Sequence, residues 1–386
     1  MSTPQTPITI LGAGIAGLTL GRCLRYHGIP TILYEKRSKE YTHKYGITLQ
    51  PSTYQPLLKI LDLDEPTFRK ITAIDGNGHV DSYTSFTPKE EVSKCVRVHR
   101  GKFEQMLREG LEIKWGSQIE SVKKDGQSYR IKVKNVTAFD TRALVATDGT
   151  HSIVRSTLSD SKLKVLPYVA FYGRRRISQA TYEEIFKGHF RKSLVSHERK
   201  GPTLLQLSLS DITPEYVEVN WIYSRPSSGA SDELLNPERS PDSANVIPEA
   251  LFEEVSRLKD LSSPYAEIFG SQSIKNDRIL HWLMRSSLLA NNDLQRLAKE
   301  NVLLIGDAAH TEPIIGGNGA NLAVDDAISL GNWTARDPKF AGVGSWYGTR
   351  HALWEKSADL GIEVISQLHS DGVGLERDSK KVHGVL

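Results

Sequence analysis

Short apolar runs that end on a glycine or an acid recur along this chain and set its organisation. Ile8, Ile10 and Leu11 predict a buried strand, and Leu18, Leu20, Cys23 and Leu24 then recur at helical spacing. Gly28 stands where a helix C-cap belongs, and residues 29–34 predict a second strand ending on Glu35. Residues 97–108 read as a helix with Phe103, Met106 and Leu107 on one face. Short strands follow near 111–115, 119–124 and 129–134, and an apolar strand over 143–147 ends in Asp148-Gly149. From about 162 to 290 the period falls to two. The stretches VLPYVAFYGRRRI, TLLQLSLSDI and YVEVNWIYSR alternate like antiparallel strands. The polar, Pro/Ser-rich residues 224–245 read as a mobile surface loop, and 249–259 as a helix. A strand over 301–305 returns to the first pattern and ends in Gly306-Asp307. A loop rich in glycine and asparagine then opens a helix over 319–332, and an amphipathic helix over 344–368 carries Trp346, Leu353 and Trp354. No internal repeat or low-complexity tract is present.

Composition narrows the classes. The chain has 386 residues, 39% hydrophobic and 25% charged, which is ordinary for a globular protein with one large core or two connected ones. A net charge of +3 without a basic arm argues against nucleic acid as a partner. Two cysteines, Cys23 and Cys95, are too few for a disulfide framework, and the twelve histidines form no metal-ligand spacing. The N-terminal MSTPQTP has neither the charged nor the apolar region of a signal peptide. No apolar run approaches the roughly 18 residues that span a bilayer. These observations lead to an expectation of a cytosolic protein with no membrane span.

The first chemical motif is Gly12-x-Gly14-x-x-Gly17, between the first strand and the first helix. The first glycine permits a tight turn, the second lets a pyrophosphate approach the backbone, and the third lets helix and strand pack closely. The helix N-terminus then offers unpaired N–H groups and the positive end of its dipole to phosphate. Glu35 follows Gly14 by 21 residues, at the spacing of a carboxylate that accepts from an adenosine ribose. An acid at this place disfavours a 2′-phosphate, so FAD or NAD fits better than NADP.

The cofactor is narrowed by two further motifs in order, Asp148-Gly149-x-x-Ser152-x-x-Arg155 and Gly306-Asp307-Ala308-Ala309-His310…Pro313. With Gly12–Glu35 they resemble the three fingerprints of the class A flavoprotein monooxygenases, the p-hydroxybenzoate hydroxylase group, over about 8–165 and 275–330. The likeness extends to fungal natural-product tailoring enzymes and so implies secondary metabolism. It implies an α/β fold: a Rossmann-like FAD-binding domain, a substrate domain built on a mixed antiparallel sheet, and a C-terminal helix. The corresponding bounds are 1–70, 97–165 and 291–340 for FAD, 71–96 and 166–290 for substrate, and 341–386 for the C-terminal helical segment. By the same resemblance Asp307 binds the ribityl hydroxyls, Arg100 lies near the FAD phosphates, and Gly46 contacts the flavin. Gly316, Gly319, Ala320 and Asn321 run along the pyrimidine side of the ring. Ala16, Lys36, Arg37, Asp148 and Pro313 complete the candidate cofactor set. The physical reading agrees: a polyol chain suits a carboxylate at a strand end, and a helix N-terminus stabilises negative charge on reduced flavin. His310 reads as a structural hydrogen-bonder. Asp325 and Asp326 are expected to face solvent or cap helices.

The family chemistry implies NADPH or NADH as a transient reductant, O2 as co-substrate, and a C4a-hydroperoxyflavin that gives one oxygen to an aromatic or other electron-rich small molecule. Strand alternation puts Tyr172, Arg174 and Arg176 on one face, and Phe171 and Arg175 on the other. Arg174 and Tyr223 are the candidate catalytic residues, with Tyr172 as an alternative. An oxidase or reductase of the same fold is the rival reading. A catalytically silent FAD-binding protein is a third, and the W-x-W-x-I-P box of flavin halogenases is absent. The substrate, the choice of NADH or NADPH and the oligomeric state stay open at this point.

Overall fold

The computed structural model describes residues 7–77, 89–134, 137–270, 273–316, 318–337, 340 and 342–370. Ile8–Leu11, Thr31–Tyr34, Ile113–Lys114, Leu144–Ala146 and Val302–Leu304 form one parallel sheet. Its spatial order is Val302–Leu304, Leu144–Ala146, Ile8–Leu11, Thr31–Tyr34, Ile113–Lys114. The three strands that precede the three motifs are therefore adjacent and parallel, with the register Leu11↔Ala146↔Leu304. Their carboxyl ends lie at one edge, where open α/β sheets bind ligands. Burial drives this arrangement. The outer helices Ile15–Tyr26 and Gly319–Arg336 cover the apolar strands, and the two helices share one core with the sheet.

A second, six-stranded sheet is antiparallel, in the order Val195–Lys200, Thr203–Ile212, Val217–Pro226, Lys164–Ile177, Arg278–Leu288, His310–Thr311. Its two faces have different partners, as a period-2 pattern requires. Phe171, Trp221 and Tyr223 pack into a core closed by Leu251, Tyr265 and Ile268. Ala170, Tyr172, Ile222 and Met284 face the other way, toward Ile315 and Ile365. The short strand His310–Thr311 follows the Gly306-Asp307 motif and pairs with Ser287–Leu288, so it stitches the second sheet to the edge of the first.

Several expectations need correction. Residues 97–99 belong to a strand, Val96–His99, and the helix begins at Arg100. Val96 and Val98 are buried at strand spacing, and His99 accepts from Lys102 N as the helix cap. Residues 224–226 end a strand, and the following loop is anchored: buried Asp232 takes two hydrogen bonds from Arg225, at 2.6 and 3.0 Å, and one from Ser228 N. The helix expected over 249–259 closes at Ser256. The last helix, Val343–His369, buries Trp346 and Trp354 but leaves Leu353 46% exposed. Leu353→Ser is thus expected to change stability by less than about 0.5 kcal/mol in a urea titration. A larger loss would place Leu353 against a partner. Residues 371–386 of the expected C-terminal segment lie outside the described residues.

Candidate active site

The glycine loop behaves as its spacing requires. Gly12 has φ +104°, and a Cβ there would lie 2.4 Å from the Thr147 carbonyl oxygen. A Cβ on Gly17 would lie 2.1 Å from the Gly12 carbonyl oxygen, so this position fixes the close packing of helix on strand. Gly14 differs, because nothing lies within 4 Å of the place its Cβ would take. Gly14 is also the N-cap of its helix and brings no side chain to the free N–H groups. That open, donor-rich space is the cradle a pyrophosphate needs. Glu35 is buried, with Oε2 accepting from Ala13 N at 2.8 Å and Oε1 from Arg37 N at 2.9 Å. It pins the loop, and each oxygen keeps a second lone pair for another donor. Lys36 is exposed beside it, and Arg37 reaches His43 at 2.6 Å.

Asp148 and Asp307 end the neighbouring strands. Asp148 Oδ2 accepts from Ile153 N at 2.8 Å at the head of a short helix, and burial raises the pKa of its carboxyl. Buried Arg155 donates to the carbonyls of Asp307 and Ala308 at 2.9 and 3.1 Å and to that of Thr150, so it ties the second motif to the third. Asp307 Oδ2 accepts from Thr150 Oγ1 at 3.1 Å, and its carboxylate borders a cavity. That cavity has a volume of about 770 Å³. Gly14, Ala16, Gly46, Arg100, Asp307, Pro313, Gly316, Gly319, Ala320 and Asn321 all line it. Both ends of the chain thus meet at one wall. Asn321 accepts from Gln50 N at 2.9 Å and donates to the Thr48 carbonyl at 3.1 Å, locking the helix start to the strand Gly46–Leu49. Arg100 donates to Glu104 at 2.9 Å and to the Tyr45 hydroxyl. Burial alone would lower its pKa, but Tyr45 and Glu104 outweigh that and raise it. These features fit FAD: an open pyrophosphate cradle, a carboxylate at a strand end, and an uncapped helix start at Gly319 beside a roomy cavity.

Of the candidate catalytic residues only Tyr172 borders the cavity. Its ring stacks on Trp282 at 4.5 Å and 11°, and burial raises its hydroxyl pKa. Tyr223 stands at odd parity to Tyr172 across the strand pair and points into the opposite core, where its hydroxyl donates to Glu254 at 2.5 Å. Arg174 shares the face of Tyr172, but its guanidinium turns to Glu218 at 3.5 Å and is not among the cavity-lining groups. Besides Arg100, the structure brings Arg97 to the cavity, together with His197, Gln206 and Asn220. The signal for Arg97 was the Val96–Val98 alternation, which the helical reading of 97–108 obscured.

Asp326 is fully buried, contrary to expectation. It accepts from His310 at 2.6 Å, Arg350 at 2.5 Å, Trp354 at 2.9 Å and Gly306 N at 3.2 Å. His310 is the structural hydrogen-bonder its motif suggested, stacked on Trp354 at 4.4 Å. Asp325 is half-buried, and burial raises its carboxyl pKa to about 6.

Comparison with known proteins agrees with this geometry. The family described as "FAD binding domain" matches residues 5–170 and 203–336. An FAD-dependent monooxygenase, nscC, of Neosartorya fischeri is 29% identical over 384 residues, covering 92% of this chain and 93% of the relative. A second, aptC of Emericella nidulans, is 28% identical and covers 94% and 95%. Among solved structures, 2,6-dihydroxypyridine-3-hydroxylase from Arthrobacter nicotinovorans superposes with a TM-score of 0.72 at 18% identity, over 96% of this chain and 95% of that one. The tetracycline destructase Tet(55) gives 0.68 at 17% identity, over 96% and 92%. At that identity the two structures speak for the fold alone. The chain belongs to the FAD binding domain family.

Proposed function

We propose that the protein uses NADPH or NADH and O2 to insert one oxygen atom into an aromatic or other electron-rich small molecule of secondary metabolism. The observation that carries this reading is the shared cavity. One wall is the FAD cradle, and the other is the Tyr172 face of the antiparallel sheet. Its volume of about 770 Å³ falls in the range of small-molecule sites. When bound, the flavin supplies electron transfer from the nicotinamide and activation of oxygen. The chain's own groups then have separable tasks. Gly14 and the following N–H groups take the pyrophosphate, Glu35 the adenosine ribose, and Asp307 the ribityl hydroxyls. Arg100 adds positive charge near the phosphates, and the N–H groups at Gly319–Asn321 face the pyrimidine edge. Tyr172 and Trp282 form a flat wall for the substrate, and the sheet keeps water from the reacting side.

In this reading residues 1–70, 97–165 and 291–340 serve the cofactor, and 71–96 with 166–290 serve the substrate. Two separate apolar cores, one drawn from residues 8–154 and 289–354 and one mainly from 169–279, support that division. A cytosolic location accords with two buried cysteines that form no disulfide among the described residues. The test is a screen of hydroxylated aromatics with purified yellow protein. Substrate-stimulated NADPH oxidation with O2 uptake and a product heavier by one oxygen is expected. NADPH consumption that yields only hydrogen peroxide across the whole panel would favour the oxidase reading instead.

A further inference from the structure

Arg97 is the one guanidinium in the cavity wall without an acidic partner among the described residues. Arg100, also in the wall, pairs with Glu104 at 2.9 Å. Arg97 Nη1 donates to the Thr48 hydroxyl at 3.1 Å across the strand pair, and its buried Nε has no partner. A desolvated cation held this way costs free energy unless something pairs with it. The backbone is shaped around it, because a Cβ on Gly46 would lie 2.7 Å from Arg97 Nε. Burial lowers its pKa to about 10, which leaves it charged near neutral pH. Beside it stand Tyr172, stacked on Trp282, and His197, whose ring bonds Gln206 at 2.9 Å. His197 has its pKa lowered by burial, so the ring stays neutral near neutral pH and brings no competing charge.

We propose that Arg97 is the anchor for an ionised oxygen of the substrate, so that the enzyme takes flat conjugated molecules as phenolates, enolates or carboxylates. A guanidinium offers two adjacent donors to one anionic oxygen or to a pair, and here Nη2 and the second N–H of Nη1 are left for that role, while the enclosed Nε lies against Gly46. The Tyr172–Trp282 stack gives the ring system its plane. Loss of a proton also enriches the ring in electrons, which suits attack on an electrophilic oxygen. This inference rests on the cavity being the substrate site, as proposed above.

The test uses the FAD-loaded protein without NADPH, so that binding is read apart from turnover. β-Naphthol and its methyl ether form one pair of probes, and β-naphthoate and its methyl ester the other. Wild-type protein is expected to bind the ionisable member of at least one pair roughly tenfold or more tightly than its ether or ester. For β-naphthol the bound ligand should show naphtholate absorbance near neutral pH. The pair that discriminates tells phenolate from carboxylate. Arg97→Gln should abolish the preference while the neutral probes bind as before, and Arg97→Lys should restore part of it. Wild-type protein that binds acid and neutral probes equally, or binds none of them, overturns the proposal without any variant. So does a yellow Arg97→Gln protein that keeps the preference. Discrimination without NADPH-linked product from any substrate would instead leave the anchor standing and sink the monooxygenase reading.

Discussion

Replacing Asp326 by asparagine is expected to remove about 3–5 kcal/mol of folding stability, the range for breaking a buried ion pair by taking away one partner. The carboxylate is wholly inaccessible and serves four groups. Oδ1 accepts from Arg350 Nε at 3.0 Å and Trp354 Nε1 at 2.9 Å; Oδ2 meets His310 Nε2 at 2.6 Å and Gly306 N at 3.2 Å. Asparagine keeps the size but turns one acceptor into a donor that faces donors. The Arg350 guanidinium would then lose the carboxylate it is hydrogen-bonded to. The measurement is a urea titration of wild type and Asp326→Asn, with the half-buried neighbour Asp325→Asn as the control. A loss under about 1 kcal/mol would show that the cluster contributes little net stability. The pH dependence has a definite sign. Burial alone would raise the Asp326 pKa, but His310 and Arg350 overcome it and lower it from 3.8 to about 2. A folded value below the unfolded one adds stability that is complete above the unfolded value. That share is lost as pH falls from about 4 toward 2. Asp326→Asn should therefore have a flatter stability profile in that window.

Asp307→Ala is expected to weaken FAD binding by about ten- to a hundredfold while the fold survives. A charged acceptor for hydroxyl donors is worth roughly 1.5–3 kcal/mol, which converts to that ratio. The fold should survive because the side chain accepts a hydrogen bond from Thr150 and otherwise faces the cavity. The motif's internal bracing runs instead through the Asp307 backbone carbonyl, to which Arg155 and Thr311 donate. Titrating apo-protein with FAD while following flavin fluorescence measures the effect. Unchanged affinity in a folded variant would move the ribityl contact to another group.

The two predictions differ in how far the sequence reached. Asp307 stood out in the chain because a carboxylate at the end of an apolar strand, before glycines, has few structural uses. Asp326 sat mid-helix with Asp325, where nothing local says which of two adjacent acids turns inward. The helical turn decides that, and its rotation is set by packing against Trp354 and His310.

The same division runs through the site. The three motifs, their order and the strand before each were legible because tight turns, helix starts and strand ends make local demands on residue type. Gly12, Gly14, Gly17 and Glu35 meet those demands wherever the rest of the chain lies. The parity of the middle strands was legible too, since Tyr172, Arg174 and Phe171 fall on the faces that alternation assigns. Which face meets the cofactor was not, because a period of two gives two sets of side chains and no label for either. Tertiary structure supplied the label. Helices over Leu251 and Ile268 cover the Tyr223 face, leaving Tyr172 and Trp282 for the cavity. It also chose among the arginines. Arg174 and Arg176 meet Glu218 on the adjacent strand, and Arg175 meets Asp277. Arg97, far from them in sequence, reaches the cavity without a carboxylate beside it, because the pairing of Gly46–Leu49 with Val96–His99 delivers it there. Long-range strand pairing fixes such meetings, and no local pattern encodes them.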